Sequence, residues 1–388
     1  MHNKLKSAAD CTGCMACANA CPLGCIDFVQ KTDGFLYPQI DEERCVHCGK
    51  CAEVCHRRMA GSLPIQTVAA HHREPERRLE ASSGGIFSLL AGEILKRGGA
   101  VYGAAFAEDF SVAHCRIDRA EHLSRLLGSK YVQSHVGYTY REVKKDLKEG
   151  RAVLFSGTPC QIFGLKSFLG ETYEGLICVE VICHGVPSPG IWSKYFADVR
   201  EELGEEITRV NFRDKSTGWH NFSLGIYGQT QSKVEPSSKN LYMRLFLGNH
   251  ILRSSCYRCE YATAERNADI TLGDCWGNEA ICPTLSAEGG ISVVILNTEK
   301  GRSLYESVSD RLCAAKASLK TVIRYNKSFL TSPSASGIRA DLEGLAERPV
   351  AAWSVTTTRK DRLTSLIRRV YNKLYIELAL IFRLNKKG

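Results

Sequence analysis

Cys11-Thr12-Gly13-Cys14-Met15-Ala16-Cys17-Ala18-Asn19-Ala20-Cys21-Pro22 and, further on, Cys45-Val46-His47-Cys48-Gly49-Lys50-Cys51-Ala52-Glu53-Val54-Cys55-His56 give the same cysteine spacing twice. Three thiolates separated by pairs of residues can wrap one corner of an iron–sulfur cubane. The fourth cysteine of each run lies too far along to close the same cluster and reaches across to the other. Cys11, Cys14, Cys17 and Cys55 are therefore assigned to one 4Fe-4S cluster, and Cys21, Cys45, Cys48 and Cys51 to a second. Zinc is the competing reading, but zinc sites pair two short Cys/His units on one tetrahedral ion, and eight cysteines in this repeat match that poorly. Two departures stand out. His56 replaces the proline that follows Cys21 in the first run, and Cys25 is an additional thiol, read as a buried free cysteine.

This unit is a two-cluster ferredoxin and fills residues 1–61. Ile26–Val29 and Phe35–Ile40 flank Thr32-Asp33-Gly34, a hairpin with its turn at Asp-Gly. The chain has 388 residues, so most of it lies beyond the ferredoxin. Met1 to Asp10 is polar and does not resemble an export signal, so a cytoplasmic, reducing compartment is expected. There the 18 cysteines point to metal ligation rather than disulfides. No stretch has the length of a membrane span. The formal charge of +9 is unevenly placed. Between Arg359 and Gly388, nine Lys/Arg stand against Asp361 and Glu377. The body is nearly neutral and carries no nucleic-acid motif.

His71 to Arg78 reads as a polar surface linker, and a second domain is expected over 76–330. Ile86, Phe87, Leu89, Leu90, Ile94 and Leu95 keep one helical face apolar after Ser82-Ser83-Gly84-Gly85. Ser82 or Ser83 can cap that helix, and a small, glycine-rich helix entry also suits a phosphate. Strands are expected at Gly99–Phe106 and Val112–Ile117, and a helix over Tyr138–Leu147. The strand Arg151–Ser156 runs through Gly157-Thr158-Pro159-Cys160 into a helix over Gln161–Leu169. The next strand, Leu176–Ile182, ends in Cys183-His184-Gly185. These are units of an α/β sheet, whose carboxyl edge is where ligands bind. If the two strands are neighbours, Cys160 and Cys183 share that edge. Cys256-Tyr257-Arg258-Cys259 alone reads equally as half a zinc ribbon or as a redox dithiol. With Cys160 and Cys183 it completes four soft ligands for a third 4Fe-4S cluster, with Cys275 in reserve. Cys115, Cys178, Cys282 and Cys313 read as structural. Ile291–Asn297 is a buried strand and Gly301–Leu312 a helix. The Ser/Pro-rich stretch 332–337 marks a boundary. Over 351–388, Leu363, Leu366, Ile367, Val370, Leu374, Leu378 and Ile381 recur at helical spacing among basic residues. That tail is an amphipathic helix, either resting on an anionic membrane face or docked on the body.

Seven stretches resemble one family: the ferredoxin run, Ser82-Ser83-Gly84-Gly85, Gly128-Ser129-Lys130-Tyr131-Val132-Gln133-Ser134, Gly157-Thr158-Pro159-Cys160-Gln161, Cys183-His184-Gly185-Val186-Pro187-Ser188, Phe212-Arg213-Asp214-Lys215, and Cys256-x-x-Cys259 with Gly273-Asp274. Together they are similar to the coenzyme F420 hydrogenase/dehydrogenase beta subunits, over nearly all of residues 1–330. The resemblance implies a flavin, FAD or FMN, on the α/β domain beside a cluster. It implies cofactor contacts from Ser82, Ser83, Gly84, Gly85, Ser129, Lys130, Tyr131, Gly157 and Thr158, with Lys130 and His184 as catalytic groups. For His184 a satisfied core histidine is an equal reading. The implied activity is an iron–sulfur flavoprotein oxidoreductase. Ferredoxin or another electron-transfer protein would serve the clusters, and a small hydride donor or acceptor would serve the flavin: a deazaflavin, a nicotinamide or an organic substrate. Two other readings are an electron-relay subunit without its own substrate, and an accessory reductase of polysaccharide synthesis placed at the membrane by the basic tail.

Overall fold

Side chains along the central strands alternate between two buried faces, and each face is covered by different helices. The computed structural model describes residues 4–334 and 342–353, with Leu374 and Ile376. In chain order, α1 (Ala16–Ala20), β1 (Ile26–Gln30), β2 (Leu36–Ile40) and α2 (Lys50–His56) make up the ferredoxin unit. β1 and β2 form the expected hairpin, pairing Ile26 with Ile40. Gly34 takes a left-handed φ of 74° in its turn, and the Phe35 amide donates to Asp33 Oδ1.

The body follows with β3 (Gln66–His72), α3 (Pro75–Glu80), α4 (Ile86–Lys96), β4 (Ala100–Phe106) and β5 (Val112–Ile117). Next come α5 (Thr139–Lys148), β6 (Val153–Gly157), α6 (Pro159–Leu169), β7 (Leu176–Val181) and α7 (Pro189–Leu203). β8 (Arg209–Asp214), β9 (Ser223–Tyr227) and β10 (Ser232–Pro236) form a separate antiparallel sheet, and α8 (Leu241–Leu247) follows it. The chain returns with β11 (Ile270–Asp274), α9 (Asn278–Ile281), β12 (Ser292–Leu296), α10 (Glu299–Glu306) and β13 (Leu312–Lys316).

The central sheet has eight strands in the order β13-β3-β12-β11-β7-β6-β4-β5. β4, β6, β7 and β11 run parallel, while β5, β12 and β13 are antiparallel to their neighbours. Val101, Leu154, Val179, Ile270 and Val294 face α4 and α10 on one side. Tyr102, Phe155 and Cys178 face α5 and α6 on the other, and Met15, Ala16 and Val54 of the ferredoxin unit complete that core. Burying Met15 and Val54 there contributes roughly 1.5–3 kcal/mol each. The ferredoxin is thus a fixed part of the second layer rather than a tethered bead. Arg141 fastens it further, donating to the carbonyls of Ala18, Asn19 and Cys21, as does Ser167 to that of Val54.

Several expectations need correction. The stretch His71 to Arg78 is a surface segment only over Arg73 to Arg77: the sheet already begins at Gln66, and His71, His72 and Arg78 are buried. His71 Nδ1 pairs with the His72 carbonyl, and Arg78 Nη2 donates to the Ser286 and Gly290 carbonyls while its Nε has no partner. Ser82 and Ser83 do not cap α4. Its N-cap is Gly85, left-handed at φ 82° and without a side-chain cap. The helix expected over Gly301–Leu312 stops at Glu306, and Leu312 opens an edge strand. Nearly all of the amphipathic tail expected over 351–388 lies outside the described residues. No helix among the described residues is long and apolar enough to cross a membrane.

Candidate functional site

Short helices entered from left-handed residues turn the cysteine runs back on themselves: Met15 (φ 62°) before α1 and Gly49 (φ 74°) before α2. Cys17 has Cys14, Cys11 and Cys55 as its charged neighbours, while Cys51 has Cys48 and Cys21. In the folded chain Cys11, Cys14, Cys17 and Cys55 are thus neighbours, as are Cys21, Cys48 and Cys51, with Cys45 near Cys25. Burial pushes the Cys14, Cys17, Cys51 and Cys55 thiols up, so free they are neutral. Ligation to iron removes that proton and gives the sulfur a counter-charge. An all-sulfur donor set of this kind fits a 4Fe-4S cubane. Cys25 is buried, with its Sγ 3.3 Å from that of Cys21. Cys48 is the exposed member of the second set.

β6 and β7 are parallel neighbours, so the loops after them share the carboxyl edge of the sheet. Cys160 stands in the first turn of α6, which Thr158 and Gln161 start with a reciprocal capping box. Cys183 follows β7. The Cys256–Cys259 loop is drawn in by backbone pairing: Arg253 N donates to Val186 O and Ser188 N to Ile251 O. All four thiols line one small cavity of about 40 Å³, together with Thr12 of the ferredoxin unit. Burial raises each thiol, Cys256 to about 11, and the neighbouring sulfurs push Cys160 and Cys183 the same way. The set is close to the first ferredoxin set, and Tyr140 and Tyr261 each lie near both Cys14 and Cys160. Cys275 is elsewhere, packed in a core beside Trp219 with its Sγ 3.7 Å from Cys282.

A far larger cavity, about 840 Å³, opens along the same edge between the central sheet and β8. Gly128, Ser129 and Lys130 line it, with Phe106 and Phe110 as an aromatic wall and Arg77, Arg125 and Arg209 as positive charge. The Lys130 ammonium donates to the Arg125 and Leu127 carbonyls and lies 5.9 Å from the Phe106 ring centroid. Burial pulls its pKa down to about 7. Ser82, Ser83, Gly84, Gly85, Tyr131, Gly157 and Thr158 do not line this cavity. Ser82 Oγ accepts from Ser129 N and so supports the Lys130 loop. Ser83 Oγ donates to Ile291 O, and the Gly84 amide to Ser292 Oγ. Lys215 ties that turn to the 289 loop through the Ser83 and Gly289 carbonyls. Tyr131 Oη accepts from Arg213, itself bidentate on Asp274. His184 lines neither cavity. Its ring lies edge-on to Phe246, burial lowers its pKa, and its Nε2 has no hydrogen-bond partner.

Residues 150–320 match the family model for the C-terminal part of the coenzyme F420 hydrogenase/dehydrogenase beta subunit, and residues 10–59 match a 4Fe-4S dicluster domain. The chain is 24% identical over 327 residues to a coenzyme F420-dependent sulfite reductase of Methanocaldococcus jannaschii, covering 79% of this chain and 47% of that protein. It therefore spans about half the length of this curated relative. The F420-reducing NiFe hydrogenase complex of Methanosarcina barkeri aligns at a TM-score of 0.48 and 14% identity, over 69% of this chain and 89% of that one. With its dicluster ferredoxin unit and matching body, the chain is similar to the coenzyme F420 hydrogenase/dehydrogenase beta-subunit family.

Proposed function

We propose that this chain is an iron–sulfur oxidoreductase that moves single electrons between its ferredoxin unit and a flavin held in the large carboxyl-edge cavity. The observation that carries the reading is the convergence of Cys160, Cys183, Cys256 and Cys259 on one cavity that Thr12 also lines. These thiols fit a third 4Fe-4S cluster and would link the ferredoxin to the sheet edge. Bound in the larger cavity, a flavin (FAD or FMN) supplies the exchange between hydride and single-electron chemistry. Phe106 and Phe110 would give the ring an apolar wall, and Lys130 with Arg77 and Arg209 would hold its anionic groups. Lys130 has the geometry for direct contact; Ser82 acts behind it by fixing its loop. The hydride partner is a small molecule: a deazaflavin such as F420, a nicotinamide or an organic substrate. The exposed Cys48 marks the side on which ferredoxin or another electron-transfer protein would deliver charge.

Anaerobic purification of the full chain tests this reading. It predicts extractable flavin, and about twelve irons per chain if three cubanes form. Material with eight irons and no flavin would count against it.

A second reading is an electron-relay subunit without a substrate of its own, docked in a larger complex through its ferredoxin unit. Turnover by the isolated chain, with an artificial donor and a small-molecule acceptor, would remove it.

A further inference from the structure

Arg253 is fully buried, yet none of its hydrogen-bond acceptors is a carboxylate. Two other buried guanidiniums do have one, Arg213 with Asp274 and Arg266 with Glu180, whereas the buried Arg78 donates to carbonyls of the 286–290 loop and to no thiol. Arg253 Nε donates to Cys11 O at 2.7 Å, and Nη1 to Gln133 Oε1 at 2.8 Å. Nη2 donates to Leu36 O at 2.9 Å and to Cys11 Sγ at 3.6 Å. The cation lies against the Tyr37 face, 4.3 Å from its centroid. A buried charge left without an opposite charge costs several kcal/mol, so a guanidinium here implies an anion beside it. The thiol sets provide one once loaded with iron. Four thiolates around a cubane carry net negative charge, and reduction adds one more.

The position is also shared. Cys256 N donates to Arg253 O at 2.9 Å, and Ser255 Oγ donates to the same Cys11 carbonyl that Arg253 holds. The guanidinium charge bears on both Cys14 and Cys256. One side chain therefore touches the first ferredoxin set and stands three residues from the third.

We propose that Arg253 is the common counter-cation of the first and third clusters, holding both reduction potentials up and locking the ferredoxin unit against the body in electron-transfer register. The inference rests on the cluster reading above. A positive charge beside a cluster favours its reduced, more anionic form, and a hydrogen bond to a ligand sulfur acts in the same direction. Arg253 is a positioning residue, and the second set (Cys21, Cys45, Cys48, Cys51) lies outside its contacts.

The test is an EPR-monitored redox titration of the anaerobic full chain, with Cys48→Ser used to identify the second cluster's signal. Arg253→Met should lower the first and third potentials by about 59 mV or more, a tenfold change for one electron, and leave the second in place. Equal shifts of all three, or none, would overturn the proposal. If Arg253→Met fails to hold iron, Arg253→Lys decides. It keeps the charge but loses the guanidinium fork, so the first potential should fall while the third stays near that of the parent chain. A third potential that falls in Arg253→Lys although the charge is kept would refute the shared counter-cation role. Should the parent chain contain about eight irons rather than about twelve, the third-cluster reading fails on its own and the first cluster's response still decides for or against Arg253.

Discussion

Gly164 lies one helical turn beyond Cys160 on α6, and Cys14 of the ferredoxin unit packs directly onto it. A side-chain carbon at Gly164 would stand 2.9 Å from Cys14 Cβ and 3.0 Å from its Sγ. The absence of a side chain at this one position lets the first thiol set approach the helix that carries Cys160.

Gly164→Ala measures that closeness. In an ordinary helix interior the change would stabilise by roughly 0.5–1 kcal/mol. Here overpacking against Cys14 and the Tyr140 hydroxyl should cost about 1–3 kcal/mol and win. The expected result is a lower Tm and faster proteolytic release of the ferredoxin unit. A higher Tm would mean that the contact is soft.

The ligand set of the third site makes a second prediction. Cys256→Ser should reduce iron by about four per chain, the content of one cubane. Cys275→Ser should leave iron unchanged, because Cys275 packs with Cys282 away from that cavity. Iron and sulfide analysis of anaerobic protein reads both variants. Loss of iron in Cys275→Ser alone would reassign the ligands.

Much of this was legible in the sequence because cysteine spacing is a local code. The C-x-x-C runs specify which sulfurs can share a cluster, and the fold brings Cys55 beside Cys11, Cys14 and Cys17. The strand–loop–helix units at Gly157-Thr158-Pro159-Cys160 and after Leu176–Val181 were legible too, since apolar runs followed by Gly and Pro carry their own periodicity. What escaped was held by long-range pairing. Arg253 gives no signal at the level of sequence: its acceptors, Cys11, Leu36 and Gln133, are brought to it by the fold. His71 and His72 are polar letters in a buried strand, and composition reads them as surface. Ser82-Ser83-Gly84-Gly85 has the look of a phosphate cradle, yet Ser83 and Gly84 spend polar groups on the start of β12.

Lys130 predicts a pH dependence of cofactor binding. Its pKa in the folded protein is about 7, against about 10.4 for a free lysine. An anionic ligand favours the ammonium, so affinity should be highest below pH 7 and fall as pH rises through that value. Between pH 7 and about 10.4 the unfolded chain holds more protons at this position, so stability without ligand should rise with pH across the window. Lys130→Met should flatten both profiles. Equilibrium dialysis with FAD from pH 6 to 9 checks the first, and a pH-independent affinity in the parent chain would argue against contact between Lys130 and the cofactor.

The Arg213–Asp274 pair gives the last prediction. Two hydrogen bonds, of 2.9 and 3.1 Å, join a guanidinium whose side chain is 2% exposed to a carboxylate that is 17% exposed. Trp219 Nε1 donates to the same carboxylate, and the guanidinium lies 4.0 Å from the Phe222 ring centroid. Removing one partner strands the other charge away from water, which costs about 3–5 kcal/mol, whereas replacing both with apolar groups can be nearly neutral. Asp274→Asn should therefore destabilise the chain sharply. Arg213→Met combined with Asp274→Leu should recover most of the loss in a denaturant melt, although Tyr131 then loses its donor. Because Asp274 ends β11 and Arg213 lies on β8, the pair joins the small sheet to the central one along the edge that carries the large cavity. The double variant should accordingly fold while binding flavin more weakly. A double variant no more stable than Asp274→Asn would show that the pair contributes more than the burial of two matched charges.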